Sequence, residues 1–414
     1  MTFRSFPWLG LALAIWLAAA TGPAGADAAF AGWLRTLWPE AQRLGIPRAV
    51  FDEATSGLVP DYGLPDLVIP GRPPAPDRGQ PEFVQTPADY IKEATIARLA
   101  ERGRALLKHH RAALDAIAAR YGVPPEMVLA IWGRETAYGG YKLPHDALRV
   151  LATQAYVGRR KEQFREEFLL AIKMIADGEA RRADMRSSWA GAMGLTQFLP
   201  SDFYKNAVDF DGDGRRNIFA SVPDALASAA KQLADKGWQR GRRWSYEVRV
   251  PADVDCTIAE PGVTMPLSAW LARGYVPAYG RRPSREELAA PASLLMPEGT
   301  HGPAFLTPNN YFVLKNYNFS DLYVLFVGHL SDRIVDPRPF ETPWSRDKQL
   351  RTAEVEAMQR RLSELGFYRD KIDGKAGMLT RAALGAYQKA NRLKVDCWPT
   401  PAVLEHMQRA ARRD

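Results

Sequence analysis

The sequence predicts a mainly α protein with a short attached sheet, in two folded units: a large one over residues 27–340 and a small one over residues 351–412. Three observations lead there. Apolar residues recur at three- and four-residue intervals through most of the chain, the pattern of amphipathic helices. Strict alternation is confined to short runs such as Tyr246, Val248 and Val250. The cluster Asp336-Pro337-Arg338-Pro339 with Pro343 then interrupts the periodicity, so residues 341–350 read as a linker. At 414 residues the chain is long enough for two or three domains with substantial cores.

Taken in order, the first element is Arg4 followed by an apolar stretch from Trp8 to Ala20 and by Ala24-Gly25-Ala26, a small-x-small cleavage pattern. Residues 1–26 therefore read as a secretory signal peptide, and export to the periplasm is expected. The apolar run is shorter than the ~20 residues a spanning helix requires, so stable membrane insertion is not expected. The first cysteine is Cys256, which leaves no lipid-modifiable thiol near the cleavage site. Residues 30–55 have helical spacing, and Pro60 to Pro87 is proline-rich with little periodicity, a wrapping loop. Helical patterns run through Ala88 to Tyr121, Glu162 to Ala176 and Pro223 to Lys236. Tyr311 to Lys315 alternates and reads as a further strand, and Phe319 to Ile334 as a helix.

The 55 Lys and Arg against 47 Asp and Glu give +8, and +7 without residues 1–26. That balance suits an anionic polymer, a membrane surface or a cell-wall matrix. The basic residues are dispersed, which argues against nucleic acid. None of the six histidines falls in a zinc-ligand pattern. Cys256 and Cys397 lie in different units. A disulfide between them is open to an exported protein, but two unpaired buried thiols are the expectation, because sequence separation carries no information about distance.

Glu135 is the most informative residue. Pro124-Pro125 suits a helix start, and Val128, Ile131, Trp132 and Glu135 then share one stripe, which points the carboxyl inward. Burial raises a carboxyl pKa, as a general acid near neutral pH requires. A structural glutamate paired with an arginine such as Arg134 fits the same spacing. Glu162, Glu166 and Glu167 fall on a charged helix and read as solvated. Trp132, Tyr138, Trp189, Phe198, Tyr204 and Tyr311 offer flat apolar faces, most of them expected in the core.

The last unit repeats itself. Val355, Met358, Leu362 and Leu365 form a stripe followed by Asp373-Gly374, Thr380, Leu384 and Tyr387-Gln388; then Asp396-Cys397 is followed by Val403, Leu404 and Met407. It resembles the three-helix peptidoglycan-binding domain, with Cys397 in place of that family's second glycine.

In the larger unit the run Ile131-Trp132-Gly133-Arg134-Glu135-Thr136, the small-residue segment Ala190 to Pro200, and Tyr317-Asn318-Phe319-Ser320 with Tyr323 resemble, in order, the B-type lytic murein transglycosylase family of lysozyme-like fold. The resemblance implies a lysozyme-like α+β catalytic domain that cleaves peptidoglycan between N-acetylmuramic acid and N-acetylglucosamine. It implies Glu135 as the single catalytic acid/base, with Ser188, Met193, Gln197, Tyr317, Asn318 and Tyr323 binding substrate. No cofactor is expected for the chemistry. Other cell-wall enzymes are expected as partners. A hydrolytic muramidase or a non-catalytic wall-binding scaffold is the alternative.

Asp209-Phe210-Asp211-Gly212-Asp213 begins like a calcium loop, with acids at its first, third and fifth positions. Its twelfth position is Ala220, and the next acid is Asp224. The family carries a similar enlarged loop, which implies that Asp209, Asp211, Asp213, the Arg215 carbonyl and Asp224 enclose a structural Ca²⁺. A metal-free aspartate-rich turn is the other reading.

Overall fold

Helices dominate because the apolar stripes of the sequence find one another. The computed structural model describes residues 23–71, 85–345 and 350–410, so most of the signal-peptide segment and residues 72–84 of the proline-rich stretch lie outside the described residues. Two lobes form the larger unit. One core gathers Phe30, Leu34 and Phe51 from the N-terminal helices with helices Ala147–Val157 and Lys161–Ala176. The other packs helix Pro125–Thr136 between Glu93–His109 and Asp321–Val335. Tyr317 packs against both cores and marks the seam.

Helix Pro125–Thr136 starts as its sequence predicts, with proline at its first position and Pro124 extended before it. Met127 through Gly133 are all buried, so the helix is central, and no single polar face could have been read from it. It ends at Ala137 and Tyr138, both with positive φ.

A five-stranded antiparallel sheet lies beside the second lobe, in the order Thr264–Pro266, Pro291–Leu295, Ala304–Thr307, Tyr246–Arg249, Val276–Pro277. The strand expected at Tyr246 is present. The one expected over Tyr311 to Lys315 is not: Asn309–Lys315 is a helix with Asn310, Tyr311, Val313 and Leu314 buried. Tyr311 to Leu314 are all apolar, a run too short to separate a strand from a buried helix by spacing.

The C-terminal module is three helices, Thr352–Glu364, Met378–Ala390 and Pro401–Ala410, around Met358, Leu362, Leu384, Tyr387 and Met407. Its repeat has a shared device. Gln359 Oε1 accepts from the backbone of Asp373 and Gly374 at 3.0 and 2.8 Å, and Gln388 Oε1 accepts from Asp396 and Cys397 at 3.1 and 2.9 Å. Both turns need a left-handed residue. Gly374 has φ 69°, and Cys397 takes φ 54° at the matching place despite its side chain.

Cys397 also corrects the expectation of free thiols, because it is disulfide-bonded to Cys256 at a Cα separation of 6.1 Å. The module folds back onto the sheet, bringing together residues 141 apart in sequence. Lys389 reinforces the junction by pairing with Asp255 at 2.5 Å, and Thr300 N–H donates to the Asp396 carbonyl at 3.1 Å. Replacing both cysteines by serine is expected to weaken docking of the module by about 2–4 kcal/mol. Urea unfolding of the full chain checks this; an unchanged midpoint would mean that the non-covalent junction suffices.

Candidate active site

Glu135 occupies the last turn of its helix, half-buried, and its Oε1 accepts a hydrogen bond from the Tyr323 phenol at 2.5 Å. Tyr323 comes from helix Asp321–Val335 and is 2% exposed. Burial, then the neighbouring Glu135 carboxyl, holds its phenol well above the ordinary tyrosine range, so it stays protonated and donates. Arg134, the structural partner weighed for Glu135, is committed elsewhere. Its guanidinium donates to the Tyr90 hydroxyl at 2.5 Å and lies over the rings of Tyr90 and Phe326. Burial opposes its charge, but Tyr90 and Glu135 outweigh that and keep its pKa raised.

The helix can end here because Gly133 has no side chain. The Tyr138 ring lies on it, and a Cβ there would sit 2.6 Å from Tyr138 Cζ. The Tyr138 hydroxyl donates to the Leu99 carbonyl at 3.0 Å, which holds the ring in place.

Tyr317 stacks on Tyr323, with ring centroids 6.3 Å apart and planes 7° from parallel. Its hydroxyl donates to the Thr196 carbonyl at 2.6 Å and so ties the tyrosine pair to the small-residue segment. That segment is a compact double turn. Met193 and Phe198 exchange backbone hydrogen bonds at 2.8 and 2.9 Å, and Leu195 N–H donates to the Ile218 carbonyl at 2.9 Å. Gln197 sits at φ 58° with its amide donating to the Gly194 carbonyl at 3.0 Å. A left-handed non-glycine residue costs of order 1–3 kcal/mol and collects at functional sites. Ser188 Oγ accepts from Ala190 and Ala192 N–H groups at 3.4 and 3.3 Å, and Asn318 Oδ1 from Ser320 N–H at 3.0 Å.

The structure thus joins Glu135, Tyr323, Tyr317 and the Gln197 turn through direct contacts, while Ser188 and Asn318 are half-buried within their own loops. Met193 is corrected. Its side chain is fully buried in the first lobe's core, where an apolar residue of a tight turn gains most from burial, so it supports the turn from beneath. Among the six aromatics, Trp132, Tyr138, Phe198 and Tyr311 are buried, and Trp189 and Tyr204 are partly exposed.

Sequence reasoning missed two supports. Thr136 Oγ1 donates to the Leu195 carbonyl at 2.8 Å, bolting the end of the Glu135 helix to the turn. Glu167, read as solvated, is 4% exposed and accepts from Ser201 N–H and Oγ at 2.9 and 2.6 Å. It caps the helix Pro200–Asn206 that follows the turn. The signal for Glu167 was present in the spacing, since it falls three residues after Phe164 and four before Ala171 on the helix's apolar stripe.

The aspartates also converge. Carboxylate oxygens of Asp209, Asp211, Asp213 and Asp224 all lie within 4.8 Å of one another. Asp224, fully buried in the first turn of helix Val222–Asp235, accepts from Phe210, Asp211 and Asn217 N–H groups at 2.8, 3.2 and 2.8 Å. The displaced acid therefore closes the loop from the following helix.

Known proteins resemble most of the chain. Residues 29–332 match the transglycosylase SLT domain, and residues 351–407 a peptidoglycan binding domain. A membrane-bound lytic murein transglycosylase B of Escherichia coli (strain K12) is 32% identical over 218 residues, 52% of this chain and 58% of that protein. The chain thus matches little more than half the length of that relative. SltB3 from Pseudomonas aeruginosa in complex with NAG-NAM-pentapeptide gives a TM-score of 0.83 at 37% identity, covering 91% of this chain and 99% of that one. Its complex with NAG-anhNAM-pentapeptide gives 0.82 at 36%, over 92% and 99%. Slt35 of Escherichia coli in complex with calcium gives 0.51 at 28%, over 61% and 78%.

Fold and site together define a transglycosylase-type catalytic domain of lysozyme-like architecture carrying a helical peptidoglycan-binding module. The chain belongs to the transglycosylase SLT family of lytic murein transglycosylases.

Replacing Gly133 by alanine would drive the new methyl into the Tyr138 ring. A loss of about 1–3 kcal/mol in urea unfolding is expected; full stability would show that the ring moves aside at no cost.

Proposed function

We propose that this protein is a lytic transglycosylase that cleaves the β-1,4 bond from N-acetylmuramic acid to N-acetylglucosamine in peptidoglycan and leaves a 1,6-anhydro end. The Tyr323–Glu135 hydrogen bond carries the reading, because it places one oriented carboxyl where the two lobes meet. With Oε1 accepting from the phenol, the proton of the acid form sits on Oε2. Glu135 gives that proton to the departing glycosidic oxygen as the bond breaks. The sugar's own acetamido group and polar side chains around the site stabilise the cationic ring. Glu135, now ionised, takes the proton of the 6-hydroxyl of the same muramoyl unit, whose oxygen closes on the anomeric carbon. Intramolecular attack needs no placed water and gains from proximity.

The same reading places the mature protein in the periplasm, exported by residues 1–26 and working beside other wall enzymes. No described helix is long and apolar enough to cross a membrane. The C-terminal module would hold the wall near the cleft. Calcium would be structural. The carboxylates of the four aspartates and the Arg215 carbonyl are the hard oxygen ligands that calcium takes.

Digesting purified sacculi with the wild type and with Glu135→Gln, followed by mass spectrometry, tests the reaction. Anhydro-muropeptides from the wild type alone are expected, with a loss of at least about a hundredfold in the variant. Reducing ends would mean hydrolysis, and no product from the wild type would leave only the binding module. For the metal, calcium at a hundred times its dissociation constant should add about 2.7 kcal/mol to the chelated protein. A melting temperature indifferent to calcium, in the wild type as in Asp224→Ala, would remove the site.

A further inference from the structure

The loop that carries Tyr317 and Asn318 is held at its base by one carboxylate. Asp321 opens helix Asp321–Val335, and its Oδ1 accepts from the Tyr311 phenol and the Lys315 ammonium, each at 2.7 Å. Both donors lie on helix Asn309–Lys315, before the loop, so Asp321 closes residues 316–320 like a clasp. Tyr323, which meets Glu135, is two residues beyond it.

A further group at this carboxylate comes from the other domain. Arg381, on helix Met378–Ala390 of the wall-binding module, comes within 4.0 Å of Asp321 Oδ2 with 12% of its side chain exposed. Its Nη1 donates to the Ala376 carbonyl of its own module at 2.9 Å, which fixes its direction. Burial holds its pKa below the ordinary arginine value, against the pull of Asp321, Tyr311 and the buried Glu260. The junction is thus a cluster of two acids, Asp321 and Glu260, with two cations, Lys315 and Arg381. Burying an arginine is costly. Holding the module does not require it, since the Cys256–Cys397 disulfide and the Lys389–Asp255 pair already do so.

We propose that Arg381 is a positioning residue for the reaction: through Asp321, the docked module sets the loop bearing Tyr317 and the helical turn bearing Tyr323, so the module acts on the chemical step as well as on wall capture. This rests on the transglycosylase reading. A module that only captures wall would change sacculus binding and KM. One that sets the loop changes kcat.

The test uses the full chain and a short soluble peptidoglycan fragment, with anhydro-product formation giving kcat and KM, and pelleting with sacculi giving wall binding. Arg381→Met is expected to lower kcat about tenfold, the scale of a small misplacement of catalytic groups, with KM and sacculus binding within about twofold. Arg381→Lys should recover most of the rate, and Lys389→Met, across the same junction but away from the clasp, should leave kcat unchanged. Asp321→Asn should lower kcat similarly, and the double variant should lose no more than the worse single one. Full kcat in Arg381→Met, a loss confined to sacculus binding, or additive losses in the double variant would overturn the proposal. If Arg381→Met does not fold, Arg381→Gln, which keeps a polar side chain without the charge, takes its place under the same kcat criterion. A wild type that makes no anhydro product would sink the transglycosylase reading and this inference with it, an outcome distinct from a normal variant beside an active wild type.

Discussion

The hydrogen bond between Tyr323 and Glu135 depends on two helices that are 188 residues apart at the point of contact. A polar contact of this kind is secure only when its surroundings cannot shift, and here they are the largest core of the molecule. Helix Pro125–Thr136 is buried almost all round, and helix Asp321–Val335 nearly so. Their packing sets the distance between phenol and carboxyl. The side chains that surround them convert apolar burial into positional precision.

Around this pair the structure accepts local strain and compensates for it nearby. Gln197 takes a left-handed conformation, and Ala137 and Tyr138 do so in succession at the end of the Glu135 helix. Side-chain bonds hold the surrounding segments in place. The Gln197 amide is tied to Gly194, Thr136 to Leu195, Tyr138 to Leu99 and Tyr317 to Thr196. The Thr136 and Tyr317 bonds tie helix and loop to the turn at residues 193–198, so the site resists deformation better than any one of its loops would alone.

The wall-binding module shows how one residue serves two demands. At the second turn of its repeat Cys397 adopts the backbone shape that Gly374 has at the first, and it spends its side chain on the bond to Cys256. Its neighbour Asp396 accepts from Gln388 within the module at 2.6 Å and from Thr300 of the catalytic domain at 3.1 Å. The second turn of the repeat thus also serves as a docking surface.

The sequence by itself determined the class of fold, the helix bearing Glu135, the repeat in the module and the cluster of aspartates, because each is written in local spacing: helical periodicity, proline and glycine punctuation, acids two residues apart. Residues 311–315 were misread because five residues are too few to separate a strand from a helix. What only the tertiary structure decided is who meets whom. Arg134 could have faced Glu135 but turned to Tyr90; Glu167 left solvent to cap a helix; Met193 went into the core; Cys256 found Cys397; Asp224 closed a loop whose usual closing position is alanine. For Arg134, Glu167 and the cysteines the choice sets the cost of desolvating a group against the partner available to it, and that partner lies 34 to 141 residues away, where spacing carries no information.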